Sequence, residues 1–139
     1  MNQIHFEIVT PEKVAYQDTI DALTVDTKDG EITILPRHTP LVSILRPGEM
    51  RLKKGDEEVF MAVSGGFVEV QQDSTVIIIA DSALRAEEID QTKAEEARKR
   101  AEEILAQKTT ATEVADAQAA LARSLAQLKV ARRHKTRRA

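Results

Sequence analysis

The chain has 139 residues, 42% hydrophobic and 31% charged, with a formal net charge of −3 and no cysteine. That composition fits one ordinary soluble core with room for a small appendage. It excludes disulfides and thiolate chemistry, and no apolar run approaches the ~20 residues that a bilayer-spanning helix needs. The longest apolar run, Val76–Ala80, is strand-sized. Residues 1–5 carry no basic region followed by an apolar stretch, which predicts no secretory signal.

The residue types divide sharply along the chain. Every glycine, proline and aromatic lies before position 68, whereas 15 of 19 alanines lie after position 82. Val plus Ile falls from 18 before position 83 to 4 after it. Turn formers and β-branched residues suit strands and tight turns. Alanine without glycine or proline suits helices. The sequence therefore predicts a mainly β N-terminal sandwich over residues 1–84 and a C-terminal antiparallel α-helical hairpin over residues 85–139.

In chain order, Gln3–Val9 alternates, with Ile4, Phe6 and Ile8 on one face and His5 and Glu7 on the other. Ile20 to Val25 reads as a second strand, less cleanly. Glu31–Leu35 and Leu41–Leu45 are short strands. Met50–Lys53 and Glu58–Val63 flank a Lys-Gly-Asp-Glu loop and read as a hairpin. Gly66–Gln71 and Thr75–Ala80 read as another. Turns recur about every 8–12 residues, the rhythm of a sandwich or barrel, and the sheets are expected to be all antiparallel.

Two stretches exceed ordinary turns. Pro36 and Pro40 stiffen the loop on both sides of His38. Gly65-Gly66 stands between strands, where positive φ or close backbone approach is needed. His38 has no cysteine partner, and no serine sits in a nucleophile elbow. The three histidines lack metal-ligand spacing, so neither a catalytic centre nor a metal site is predicted. Gly65-Gly66 lacks the further glycines and lysine of a phosphate loop.

Asp90–Gln107 and Thr112–Arg132 read as two helices, with Thr112 as N-cap of the second. Their apolar stripes are Ala94, Ala97, Ala101, Ile104 and Leu105, and Val114, Ala117, Leu121, Leu125 and Leu128. So many alanines bury little area, so the hairpin reads either as a stable appendage or as an arm that detaches. Asp90, Lys93, Ala97 and Arg100 share a helix face, and Arg123 lies on the partner helix. This set is either a cationic clamp for a phosphate-bearing ligand or a solvated face with a local Asp90–Lys93 ion pair. Residues 132–138 read Arg-Arg-His-Lys-Thr-Arg-Arg and leave −8 on residues 1–131. A basic end on an acidic body points to an acidic partner or to a solvated helix end suited to the helix dipole. Nucleic acid is disfavoured, since no aromatic is interleaved for stacking.

Three ordered motifs carry a resemblance. Gly30-Glu31-Ile32 through Leu35-Pro36-Arg37-His38-Thr39-Pro40-Leu41 is similar to a GE-x-x-ILP-x-H-x-PL stretch. Val63-Ser64-Gly65-Gly66-Phe67-Val68-Glu69-Val70 is similar to SGG-[FI]-x-EV, and Ala80-Asp81-Ser82-Ala83 with Ile89-Asp90 to a connector into a helix. Together, over about residues 3–131, the chain resembles the epsilon subunit of the bacterial F-type ATP synthase. The resemblance implies a non-catalytic central-stalk subunit of a proton-translocating enzyme. It implies contacts with the gamma subunit, the c-ring and the alpha and beta subunits, without nucleic acid or membrane insertion. The location implied is peripheral, on the cytoplasmic face of the bacterial cell membrane.

By motif match, Glu31 and His38 fall among contacts to the c-ring and gamma. The helices are implied to inhibit ATP hydrolysis, with Arg132, Arg133, Lys135, Arg137 and Arg138 meeting an acidic segment of the beta subunit. No cofactor is required. Some members bind ATP through I/L-D-x-x-R-A plus arginines of both helices. Here Lys93 replaces that arginine, Arg100 and Arg123 match, and Gln127 and Leu84 depart. A nucleotide site at Asp90, Lys93, Arg100 and Arg123 is therefore expected to be weak. The alternative function is a nucleotide-sensing binding module built on the hairpin.

Overall fold

A computed structural model describes the backbone of residues 3–138 and the side chains of residues 3–133. Alternation in β1 (Ile4–Val9) buries Ile4, Phe6 and Ile8 and leaves His5 in solvent. The same period recurs in β3 (Ala22–Thr27), which buries Leu23, Val25 and Thr27. Strands β2 (Val14–Ile20), β4 (Gly30–Ile34), β5 (Leu41–Leu45), β6 (Gly48–Lys54), β7 (Glu57–Val63), β8 (Gly66–Val70), β9 (Thr75–Ala80) and β10 (Ala83–Arg85) complete a 10-stranded sheet. Its order is β10-β7-β6-β3-β5-β8-β9-β1-β2, with β4 beside β3. The sheet curls so that Phe6, Ile20, Leu23, Ile34, Leu52, Met61, Val68 and Ile78 meet in one core.

Several expectations change. The sheet is not all antiparallel: β1 pairs with β9 in parallel, from His5 opposite Thr75 to Val9 opposite Ile79. The stretch read as one strand from Ile20 to Val25 is broken at Asp21. Ile20 ends β2, which hairpins back on β1, and Ala22 begins β3, which pairs with β4 and β6. At this switch the Asp21 N–H donates to the Lys53 carbonyl at 2.8 Å and its carboxylate accepts the Gly55 N–H at 2.7 Å. Beside it, the Lys54 ammonium donates to both carboxylate oxygens of Asp18 at 3.0 and 3.1 Å. These contacts staple β2 to the β6–β7 turn.

The paired glycines answer both needs named above. Gly65 has φ 107° and Gly66 φ 140°. A Cβ on Gly66 would stand 2.0 Å from the carbonyl oxygen of Ile79. Strand β8 can therefore approach β9 only with glycine there.

After β10 a short 3-10 turn, Ala86–Glu88, leads to α1 (Gln91–Ala106) and α2 (Ala111–Arg138). The N-cap of α2 is Thr110, not Thr112: its hydroxyl accepts the Glu113 N–H at 3.1 Å. Helix α2 extends past the predicted Arg132, since Lys and Arg are good helix formers and their charge suits a C-terminus. Helices α1 and α2 pack along each other, and Ala94 and Ala101 of α1 and Ala117 and Ser124 of α2 are buried. Further along α2, Ala126, Val130 and Ala131 are buried where the helix crosses β6 and β7. Leu125, expected in the stripe, is 48% exposed. The small residues on both sides of it, Ser124 and Ala126, are buried instead and let the helix approach its neighbours closely. The hairpin is thus folded onto the sandwich. Its apolar hold is a small cluster of Phe60, Ala62, Ala86 and Val130 with Ile89. Burying Val130 stabilises the contact by about 1.5–3 kcal/mol.

Candidate functional site

The entry into the hairpin is built from short-range capping. The Arg85 backbone N–H and Nε both donate to Glu88 Oε1, at 3.0 and 3.3 Å. The Arg85 backbone N–H, ahead of its guanidinium, holds the Glu88 carboxyl below its ordinary range against a smaller opposing cost of burial. Asp90 is the N-cap of α1, and its Oδ1 accepts the Lys93 backbone N–H at 3.1 Å. The expected ion pair with the Lys93 ammonium is therefore replaced by a bond to the Lys93 main chain. Helix starts present unsatisfied N–H groups, and a carboxylate here also suits the dipole.

Of the four residues proposed for a ligand, the structure brings two together. Arg100 and Arg123 line one cleft of about 470 Å³ between α1 and α2. Asp90 and Lys93 do not line it. The floor is apolar, with Ala97, Ala101, Ile104, Ala117 and Ala120. Gln107, Glu113 and Asp116, outside the predicted cationic set, also line the cleft. The signal was present: Glu113, Asp116, Ala120 and Arg123 follow 3–4 spacing, as do Arg100, Ile104 and Gln107. Two guanidinium groups facing two carboxylates leave the cleft without net positive charge. Gln127 and Leu84 are half-buried elsewhere, Leu84 opposite Ala62 in the sheet.

The basic end is only partly within view. Arg132 is exposed. Arg133 reaches the sandwich, where its Nε lies 2.5 Å from Glu49 Oε2 and its guanidinium sits 5.4 Å from the centre of the Phe60 ring. The side chains of Lys135, Arg137 and Arg138 lie outside the described residues.

Glu31 is exposed on β4 and accepts from Arg51 Nη2 at 3.2 Å. His38 is half-buried in the β4–β5 loop. Its Nδ1 lies 2.7 Å from the Thr39 carbonyl oxygen; that oxygen only accepts, so the proton is on Nδ1. The preceding residue, Arg37, has φ 67°.

A second surface was not anticipated. Ile44, Phe67 and Ile79 stand opposite one another across β5, β8 and β9. Val9 and Val14 continue the row across β1 and β2. Val42 is 69% exposed, Phe67 51% and Val14 51%. A contiguous apolar row on the outer face of five strands marks an interaction surface. Among the described residues no His, Asp or Glu cluster is set to hold a metal, and no helix is long and apolar enough to cross a membrane.

Comparison with known proteins gives one consistent result. Residues 3–86 match the family model for the ATP synthase delta/epsilon chain β-sandwich domain, and residues 87–132 that for its long α-helix domain. The ATP synthase epsilon chain of Chloroflexus aggregans is 46% identical over 97% of this chain and 96% of its own. That of Dehalococcoides mccartyi is 42% identical over the same shares. A chain of the Euglena gracilis mitochondrial ATP synthase, solved with OSCP, F1 and c-ring, superposes with a TM-score of 0.80 at 26% identity. The match covers 94% of this chain and 82% of that one. A chain of the Tetrahymena thermophila mitochondrial ATP synthase central stalk and c-ring shares the fold, with a TM-score of 0.63 at 16% identity over 92% of this chain and 96% of that one.

Proposed function

We propose a function from one premise: the chain belongs to the ATP synthase delta/epsilon chain family. It is an epsilon-type, non-catalytic subunit of that synthase. Its sandwich acts as the coupling foot of the central stalk in a proton-translocating enzyme, at the cytoplasmic face of a bacterial cell membrane. Its hairpin acts as an arm that restrains ATP hydrolysis.

The observation that carries this reading is the contrast between two faces of one sandwich. The row Ile44–Phe67–Ile79 is apolar and uncovered within the chain, which suits a permanent neighbour such as the gamma subunit. The face of β6 and β7 carries α2 through a small apolar cluster, which suits a movable element. Glu31 and the stiff loop around His38 are assigned to the c-ring and gamma contacts. Arg132, Arg133, Lys135, Arg137 and Arg138 are assigned to an acidic surface of the beta subunit, in an extended arm.

Two measurements test it. Phe67→Ser with Ile79→Ser should abolish co-purification with gamma; retained assembly removes the apolar row as the docking face. Truncation after Asp90 should raise ATP hydrolysis by the assembled enzyme; unchanged hydrolysis removes the inhibitory role and leaves coupling.

A second reading, nucleotide sensing by the hairpin, draws support from the cleft that Arg100 and Arg123 share. Glu113 and Asp116 oppose a phosphate there, so any ATP site is weak. Titrating ATP into the free chain decides it, and no saturation at about millimolar nucleotide, a dissociation constant worth only about 4 kcal/mol, ends this reading.

A further inference from the structure

The hairpin is held to the sandwich through one stretch of α2. Helix α1 packs on α2, and α2 alone lies broadly across β6 and β7. At the rim of that contact stands Glu49 of β6, whose side chain is only 6% exposed. Its Oε2 is buried and makes no well-aligned hydrogen bond. The Arg133 Nε is 2.5 Å away, so the charges touch although the N–H is off line. A second cation, Arg51, is 4.0 Å from Oε1 and is shared with Glu31. Arg133 is itself 43% exposed and rests over Phe60.

The two partners are therefore unequal. A buried carboxylate without a counter-charge is costly, whereas a half-exposed guanidinium without one stays solvated. We infer that Arg133 and Glu49 form a conditional latch: α2 stays on the sandwich only while Arg133 neutralises Glu49. An acidic polypeptide surface that draws Arg133 away leaves buried Glu49 with only the more distant Arg51, which Glu31 shares, and the hairpin is released so that water can reach the carboxylate. Arg133 thus cannot serve the sandwich and an acidic partner at once. The identity of that partner rests on the function proposed above; the latch itself is a property of the free chain.

The inequality gives an asymmetric mutant cycle. The chain has no cysteine, so a dye pair can be placed at the exposed positions Asp56→Cys and Lys129→Cys to read energy transfer between the β6–β7 turn and α2. The parent should be closed. Arg133→Gln should raise the open-to-closed ratio about tenfold or more. Glu49→Gln should leave it within about twofold, because the buried charge is gone and the Arg133 left behind is half-exposed and stays solvated. Adding Glu49→Gln to Arg133→Gln should close the hairpin again. Poly-L-glutamate should open the parent and not the Glu49→Gln chain. Circular dichroism confirms that α2 stays helical in each variant. An open parent, an unaffected Arg133→Gln chain, or a double variant as open as Arg133→Gln alone overturns the latch. The last result would assign Arg133 to packing on Phe60 only. None of these outcomes depends on assembly, so a failed latch leaves the hydrolysis test standing, and the reverse.

Discussion

The backbone N–H of Arg37 donates to the hydroxyl oxygen of Ser74 at 2.9 Å, and both residues hold positive φ, 67° and 65°. Each non-glycine residue in this region costs about 1–2 kcal/mol. The bond ties the His38 loop to the β8–β9 turn, so two strained turns brace each other. Ser74→Ala should lower stability by about 0.5–1.5 kcal/mol in denaturant unfolding and raise the mobility of the His38 ring in NMR relaxation. Arg37→Gly keeps the main-chain donor and should be neutral or stabilising. A stable Ser74→Ala chain with an unchanged His38 would show that the loop is held by its prolines alone.

Gly66 and Gly30 both have positive φ, yet they should respond differently to alanine. A Cβ at Gly66 meets Ile79 backbone at 2.0 Å, whereas at Gly30 nothing lies within 4 Å. Gly66→Ala should cost more than about 4 kcal/mol, or prevent folding, because β8 and β9 must part. Gly30→Ala, at φ 118°, should cost only the conformational penalty, about 1–3 kcal/mol. Thermal melts of both variants check the contrast.

Acid should loosen the staple between β2 and the β6–β7 turn. The Lys54 ammonium, and next the Thr19 N–H, hold the Asp18 carboxyl below its ordinary value of 3.8. A depressed folded pKa means stabilisation that is fully present above the unfolded value. It is lost as pH falls from there through the folded value. Lys54 is raised above 10.5 by the same bond to Asp18, so its share is present below that value and is lost as pH rises through the folded one. Asp18→Asn should therefore lower the melting temperature at pH 7 and flatten its fall below pH 3.8. A variant with the parent's acid profile would remove Asp18 from that role.

The cleft between the helices allows a test by charge removal. If Arg100 and Arg123 receive phosphate, Asp116→Asn should tighten ATP binding by about threefold to tenfold, since a repulsive charge near the ligand is worth about 1 kcal/mol at a solvated site. Arg123→Gln should weaken it by a similar factor. Calorimetric titration that shows no change in either variant would leave the cleft without a nucleotide role.

The alternation of Ile4, Phe6 and Ile8, the glycine pair, and the switch to alanine after Ser82 were all legible, because each follows from local propensity and period. The helix cap was legible in kind, though it lies at Thr110 and not Thr112, since Thr-Thr-Ala-Thr offers several hydroxyls at similar positions. The break at Asp21 was not legible. The groups that hold Asp21 there, the Lys53 carbonyl and the Gly55 N–H, lie far along the chain.

Composition and period by themselves determined a turn-rich β part, an alanine-rich helical part, the inward face of each strand and the pairing of the two helices. These properties depend on neighbours within one turn or one hairpin. Only the tertiary structure decided that β1 lies parallel to β9, that the outer row at Phe67 stays open while the face at Phe60 is covered, and that Arg133 rests on Glu49. Those outcomes rest on contacts between distant segments, whose closure and desolvation energies no local pattern encodes.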